Sequence, residues 1–178
     1  MNKCRLFLLA GIIVLFSCNK NHDNTTPTGA GNDLNTWTFK QGSVTYSGKL
    51  LMTGLYTIPQ NDGTYIFSIV GKDTASNMLY IALPMADTTF TVKNYKTGIP
   101  YTVGGGPDGF ILESKDGLKK IYGSSGDSPY LGHIINFTIT HYDAVKHIVT
   151  IIFSGKAVDE HGNEVTISDG KLTAGVVS

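Results

Sequence analysis

From Thr36 onward, apolar and polar side chains alternate along most of the chain. Trp37 and Phe39 alternate with threonines. Tyr65, Phe67 and Ile69 fall on one side of a two-residue repeat, with Ile66 and Val70 on the other. Ile135, Phe137 and Ile139 alternate with Asn136, Thr138 and Thr140, and Val149, Ile151, Phe153, Gly155 and Ala157 make a further row. Successive side chains of an extended strand point to opposite faces, so each row predicts a strand with one buried and one wetted face. Residues 78–83 (MLYIAL) are apolar on both faces, like a central strand. No stretch after Cys18 holds a 3.6-residue period over three turns, so helices are not expected.

Turn chemistry punctuates these rows. Gly42, Gly48, Asn61-Asp62-Gly63, Asp116-Gly117, His161-Gly162-Asn163 and Asp169-Gly170 supply residues that tolerate positive φ, as hairpins require. Pro59, Pro84, Pro100, Pro107 and Pro129 fall near expected strand ends or in loops, where a missing N–H does no harm. The last 40 or so residues predict three strands, 134–142, 148–158 and 164–174, with turns at Asp143-Ala144 and at residues 159–163. The inward set of the last strand changes phase, from Val165 and Ile167 to Leu172 and Ala174. Asp169-Gly170 sits at the change, which predicts a β-bulge there. About ten short strands imply an all-β antiparallel fold, a β-sandwich or a partly closed barrel, over residues 36–178.

The first 35 residues follow a different pattern. Residues 1–17 carry Lys3 and Arg5 ahead of an 11-residue apolar run, 6–16, interrupted only by Gly11. That is the layout of a secretory signal, and it falls short of the roughly 20 apolar residues a membrane-spanning helix needs. No second run approaches that length. Residues 18–35 then contain one apolar side chain larger than alanine beyond Cys18, Leu34, and read as a polar tether.

Composition narrows the function classes. Formal charge is zero over the whole chain, and removing the signal leaves 12 basic against 14 acidic residues. No basic footprint for nucleic acid remains. The two cysteines are Cys4, inside the signal, and Cys18, at its end, so the folded part can hold neither a disulfide nor a cysteine-based metal site. A disulfide-free domain must rest on its own core, and a domain of this size buries roughly 70% of its unfolded surface.

Leu15-Phe16-Ser17-Cys18 resembles the lipobox of bacterial lipoproteins, with an apolar residue, a small residue before the cut, and the cysteine that follows it. The resemblance implies cleavage between Ser17 and Cys18, a diacylglyceryl thioether and further acylation (palmitate or a similar chain) on Cys18, and anchoring to the outer membrane of a cell envelope. Several acyl chains on one residue anchor stably, since each buried CH₂ contributes about 0.8 kcal/mol. The polar stretch after Cys18 is similar to that of lipoproteins of Bacteroidota. Residues 153–157 (FSGKA) and 159–172 also resemble small β-sandwich lipoprotein domains of that group, of unassigned function. Asp73-Thr74-Ala75 and Asp87-Thr88-Thr89 resemble the O-glycosylation acceptor motif of exported proteins of the same group, with Thr74 and Thr88 as acceptors.

Candidate chemistry is sparse. His133, His141, His147 and His161 form no HxH, HxxxH or HExxH pattern. His141 and His147 flank Asp143 and can face each other across a hairpin, a conceivable metal pair, though exposed hairpin-end histidines are the simpler reading. Gly123-Ser124-Ser125-Gly126-Asp127 lacks the spacing and the strand–turn–helix context of a nucleophile elbow and reads as a polar loop. Residues 104–109 are glycine-rich, with no following helix to cradle phosphate. Asp159-Glu160-His161-Gly162-Asn163-Glu164 is the densest oxygen cluster and reads as a solvated hairpin tip before a calcium loop. Tyr46, Tyr56, Tyr95, Tyr101, Tyr122 and Tyr130 lie near expected turns and offer rings for sugar stacking, while Trp37 reads as core. Glu113, Glu160 and Glu164 are the only glutamates, too few to make a two-carboxylate glycosidase the leading reading.

The sequence therefore predicts a lipid-anchored envelope domain without cofactor or metal, leaning non-enzymatic, that binds a glycan or an envelope protein. A β-sandwich hydrolase or sugar-active enzyme, and a structural or assembly subunit pairing through an exposed edge strand, are the alternatives.

Overall fold

A computed structural model describes residues 33–57, 65–85, 88–90, 94–96, 109–125 and 130–176. Ten strands account for most of them: β1 (Thr36–Gln41), β2 (Val44–Thr57), β3 (Tyr65–Asp73), β4 (Met78–Met85), β5 (Asn94–Lys96), β6 (Gly109–Glu113), β7 (Lys120–Ser125), β8 (Ile135–Asp143), β9 (Ile148–Asp159) and β10 (Glu164–Gly175). Every pairing is antiparallel. The strand order β10-β1-β2-β3-β4-β6-β7-β9 closes on itself through β9–β10, giving an eight-stranded barrel. β8 and β5 extend from β9 outside this ring. Of the two arrangements compatible with the alternation, the chain takes the barrel.

β9 is the branch point of the wall. One edge pairs with β10 along most of its length. The other edge is shared: residues 148–155 pair with β8, and Val158–Asp159 pair with Tyr122–Gly123 in the middle of β7.

The expected rows face inward. Trp37, Phe39, Phe67, Ile69, Ile135, Phe137, Ile139, Val149, Ile151 and Phe153 are all buried. The β10 bulge falls where the phase change places it. The register with β9 shifts between Ile167 and Gly170, Asp169 adopts a φ of 51°, and both Ile167 and Leu172 remain buried. β4 sits between two strands, β3 and β6, as a central strand, with only one of its faces covered. Leu79, Ile81, Leu83 and Met85 are buried while Tyr80 is exposed, because a barrel has one interior and its outer face meets water.

An aromatic column fills the interior. Phe39 stacks on Tyr46 at 5.0 Å between ring centroids and meets the edge of Phe110 at 5.4 Å, and Phe153 stacks on Phe137 at 5.1 Å. Tyr46 is partly buried, and each of the four buried phenylalanines contributes about 1.5–3 kcal/mol by removal from water. Two glycines make room for the largest aromatic ring. Trp37 lies across Gly48 and Gly71 of the neighbouring strands, where a Cβ would fall 2.8 Å and 2.5 Å from the indole.

The antiparallel order gives the barrel two distinct ends. The hairpins β1–β2, β3–β4, β6–β7 and β9–β10 all turn at one end. Residues 33–35, the β8–β9 turn and the chain past Gly175 meet at the other. There Asn35 ties the entering chain to both neighbours: its carbonyl accepts from Leu50 N at 2.7 Å and its Oδ1 from Gly175 N at 2.9 Å. His147 O accepts from Val176 N at 2.7 Å.

Candidate ligand trough on the outer face

The bulge in β10 has a consequence on the outside of the wall. A bulge bends its strand and sharpens the local twist. Here it leaves an open trough of about 550 Å³ across β8, β9 and β10. Ile152, exposed on β9, forms an apolar floor. Asn136, Thr138, Ser154, Ser168, Asp169 and Lys171 supply amide, hydroxyl and charged groups around it. Thr138 Oγ1 donates to Asn94 Oδ1 at 2.7 Å, tying β5 to the trough's edge, and Lys40 Nζ holds Asp169 Oδ2 at 2.9 Å. The trough offers mainly hydrogen-bonding groups, and the one aromatic among its lining residues, Phe153, is buried. It draws on polar positions of three strands, each of which looks like ordinary solvent-face alternation in the sequence. The bulge at Asp169-Gly170 was the one legible signal.

The singled-out acids have structural duties. Asp73 Oδ1 accepts from Asn77 N at 2.8 Å, and Asp116 Oδ1 from Leu118 N at 3.1 Å. Asp143 Oδ1 accepts from Val145 N and Lys146 N, both at 3.0 Å. Asp159 Oδ1 accepts from His161 N at 2.9 Å and Asn163 N at 2.8 Å. Each aspartate thus closes the turn that it opens. Turn N–H groups hold Asp143 and Asp159 below the usual carboxylate range, and the Ser114 hydroxyl with Leu118 N does the same for Asp116. Oxygens already accepting backbone N–H groups are poor calcium ligands, which favours the hairpin-tip reading of residues 159–164. Among the described residues, no group of three or more His, Asp or Glu side chains could hold a metal ion.

His141 and His147 are both exposed at the β8–β9 turn, and His147 Nδ1 sits 3.5 Å from the Tyr142 hydroxyl. Glu160 pairs with Lys119 at 3.2 Å, and Glu164 with Lys156 at 3.0 Å. Lys156, and to a smaller degree His133 with its Nδ1 at 3.5 Å, keep the Glu164 carboxyl below its ordinary range. Ser124 corrects the polar-loop expectation. Residues 123–125 belong to β7, and Ser124 is fully buried, its hydroxyl donating to His133 O.

The tyrosines divide. Tyr46 and Tyr122 share a hydroxyl–hydroxyl bond of 2.9 Å beside Phe39, and Tyr95 is buried. Burial, and then the bond to Tyr46, push the Tyr122 phenol well above its usual range. Tyr130 covers Gly123 and lies 5.0 Å from Lys120 Nζ. These rings serve the core and one strand edge, not an outward stacking platform. Thr74 is exposed on the β3–β4 hairpin tip, and Thr88 is exposed as well. Ser17, Cys18, His22, Tyr101, residues 104–108 and 126–129, and the side chain of Tyr56 lie outside the described residues.

Comparisons of the chain with protein-family models, with curated proteins and with solved structures gave no match. What the chain is shown to be is an all-β protein built on a closed eight-stranded antiparallel barrel.

Proposed function

We propose that this protein is a lipoprotein of the bacterial cell envelope, anchored through Cys18, whose barrel is a non-enzymatic binding domain for a glycan. The observation that carries the anchor is the coincidence, within 18 residues, of a cationic start, an 11-residue apolar run and the Leu15-Phe16-Ser17-Cys18 site. The cysteine-free barrel agrees with it, since such a domain folds in an oxidising compartment without mispairing. The glycan reading rests on the trough. Hydroxyl and amide groups arrayed over a small apolar floor match the mixed surface of a sugar. The turn-closing roles of the aspartates and the lysine partners of Glu160 and Glu164 argue against a free carboxylate pair for hydrolysis.

Two measurements test this. Intact mass and detergent partitioning of the exported protein should show a species beginning at residue 18 with added acyl mass, lost in Cys18→Ala. A soluble, unacylated product from both would refute the anchor. A glycan array probed with the Cys18→Ala chain should give signals abolished by Ser154→Trp, which fills the trough. Signals unaffected by that substitution would place binding elsewhere, and capture of an envelope protein instead would favour the protein-partner reading.

A further inference from the structure

The barrel end where the chain enters carries an unusual surface. A second bulge lies in β2, where the register with β3 shifts between Leu50 and Met52. It turns two successive apolar side chains outward, Leu51 at 59% and Met52 at 48% exposure. Leu51 and Met52 share a hollow of about 360 Å³ with Lys146, His147 and Val176. Lys146 also lines the next hollow, of about 260 Å³, together with Leu34. Beside Lys146, at the tip of the β8–β9 turn, Val145 is 89% exposed. Strand alternation does not account for these residues. β2 spends a bulge on exposing Leu51 and Met52, and the turn places a valine where its carboxylate-closed loop would accept any polar residue.

We propose that this end of the barrel is a bilayer-contacting surface, with Leu34, Leu51, Met52 and Val145 entering the headgroup boundary and Lys146 meeting lipid phosphates. The proposal rests on the lipid anchor at Cys18. Only 14 residues separate Cys18 from Asp33, a reach of at most about 50 Å. They enter the barrel beside Leu34 itself, so an anchored Cys18 holds this end near the membrane. Contact with the surface then becomes an intramolecular step, for which a few weakly inserting side chains suffice. Charge does not oppose it. Lys146 and Lys171 stand at this end with two carboxylates, Asp143 and Asp33, and Lys146 is the more exposed member of its pair with Asp143. Asp143 accepts from its own turn, and Asp33 lies 3.8 Å from Lys171. Lysines beside apolar side chains suit an anionic lipid surface. The opposite end differs: Leu118 stands exposed in the β6–β7 turn between Asp116, Gly117 and Lys119, with the Asp73 and Asp159 turns at the same end.

The test uses the full acylated chain on vesicles of phosphatidylethanolamine and phosphatidylglycerol. Acylation blocks Cys18 and cleavage removes Cys4, so a single introduced cysteine takes one environment-sensitive dye. Dyes at Leu51→Cys and Val145→Cys should be quenched at least two-fold by lipids spin-labelled near the headgroup, and a dye at Leu118→Cys should scarcely respond. All three positions are exposed, so the substitutions leave the core intact. Equal quenching at the three sites on protein that floats with the vesicles would overturn the surface while leaving the anchor standing. Failure of the chain to float would overturn the anchor, and the surface with it.

Discussion

Gly71 offers a sharp test of the packing described above. In Gly71→Ala the new Cβ would lie 2.5 Å from Trp37 Nε1, 2.7 Å from Cδ1 and 3.2 Å from Lys49 O. Trp37 is 2% exposed and stacks on Phe39 at 5.8 Å, so the indole must give up that packing to admit the methyl. Overpacking of this kind costs about 1–3 kcal/mol. Alanine also narrows the unfolded ensemble, which returns about 0.4–1 kcal/mol at a site without positive φ. The expected net loss is therefore about 1–2 kcal/mol. Urea unfolding of the Cys18→Ala background, followed by tryptophan fluorescence and circular dichroism, would read it as a lower midpoint at unchanged slope. The steric origin is isolated by a cycle with Trp37→Phe, read by circular dichroism alone. A smaller ring frees the space that the methyl needs, so the double variant should lose less than the two single losses added together. A neutral Gly71→Ala, or strict additivity with Trp37→Phe, would refute the account of Gly71 as the indole's seat.

Three further outcomes are expected. Asp116, Asp143 and Asp159 have folded-state pKa values below the ordinary one, so their contribution is present above about pH 4 and is lost as pH falls through the lower folded values; Asp159→Asn should flatten the fall in urea midpoint between pH 5 and 2, and an unchanged slope would remove that carboxylate from the cause. Tyr122 is shifted the other way, so the barrel should lose stability as pH rises past about 10, where the unfolded phenol ionises and the folded one does not; Tyr122→Phe should weaken that loss while costing about 1 kcal/mol at pH 7 through the missing bond to Tyr46, and an identical alkaline limb would count against it. Gly170→Ala would bring a Cβ to 2.4 Å from both the Phe153 ring and its carbonyl oxygen, so a loss of about 2–3 kcal/mol is expected in thermal unfolding, and a stable variant would mean the bulge is free to relax.

Rows of alternating residues made most strands legible, because inward positions of a closed wall must be apolar one by one. The phase change around Asp169 even revealed a bulge. The bulge in β2 was hidden, since Leu50, Leu51 and Met52 are all apolar and carry no phase. Residues 78–83 read as a central strand, yet an apolar run does not say which side is wet. Closure itself depends on Thr36 meeting Thr173 across the whole chain, and no local pattern encodes that pairing. The trough was equally silent, being made of ordinary outward polar positions joined by geometry. The turn aspartates were visible as turn residues, but their hydrogen bonds, which separate a closed turn from an ion site, needed coordinates.

The pairing of β1 with both β2 and β10 also sets an order of events. β1 can form a hairpin with β2 as soon as residue 49 exists, yet its other edge waits for residues 167–173. Until the last strand is made, the wall is an open sheet with an unpaired edge, and long-range pairings of this kind form slowly. The ring therefore cannot shut before residues 167–173 are available to β1.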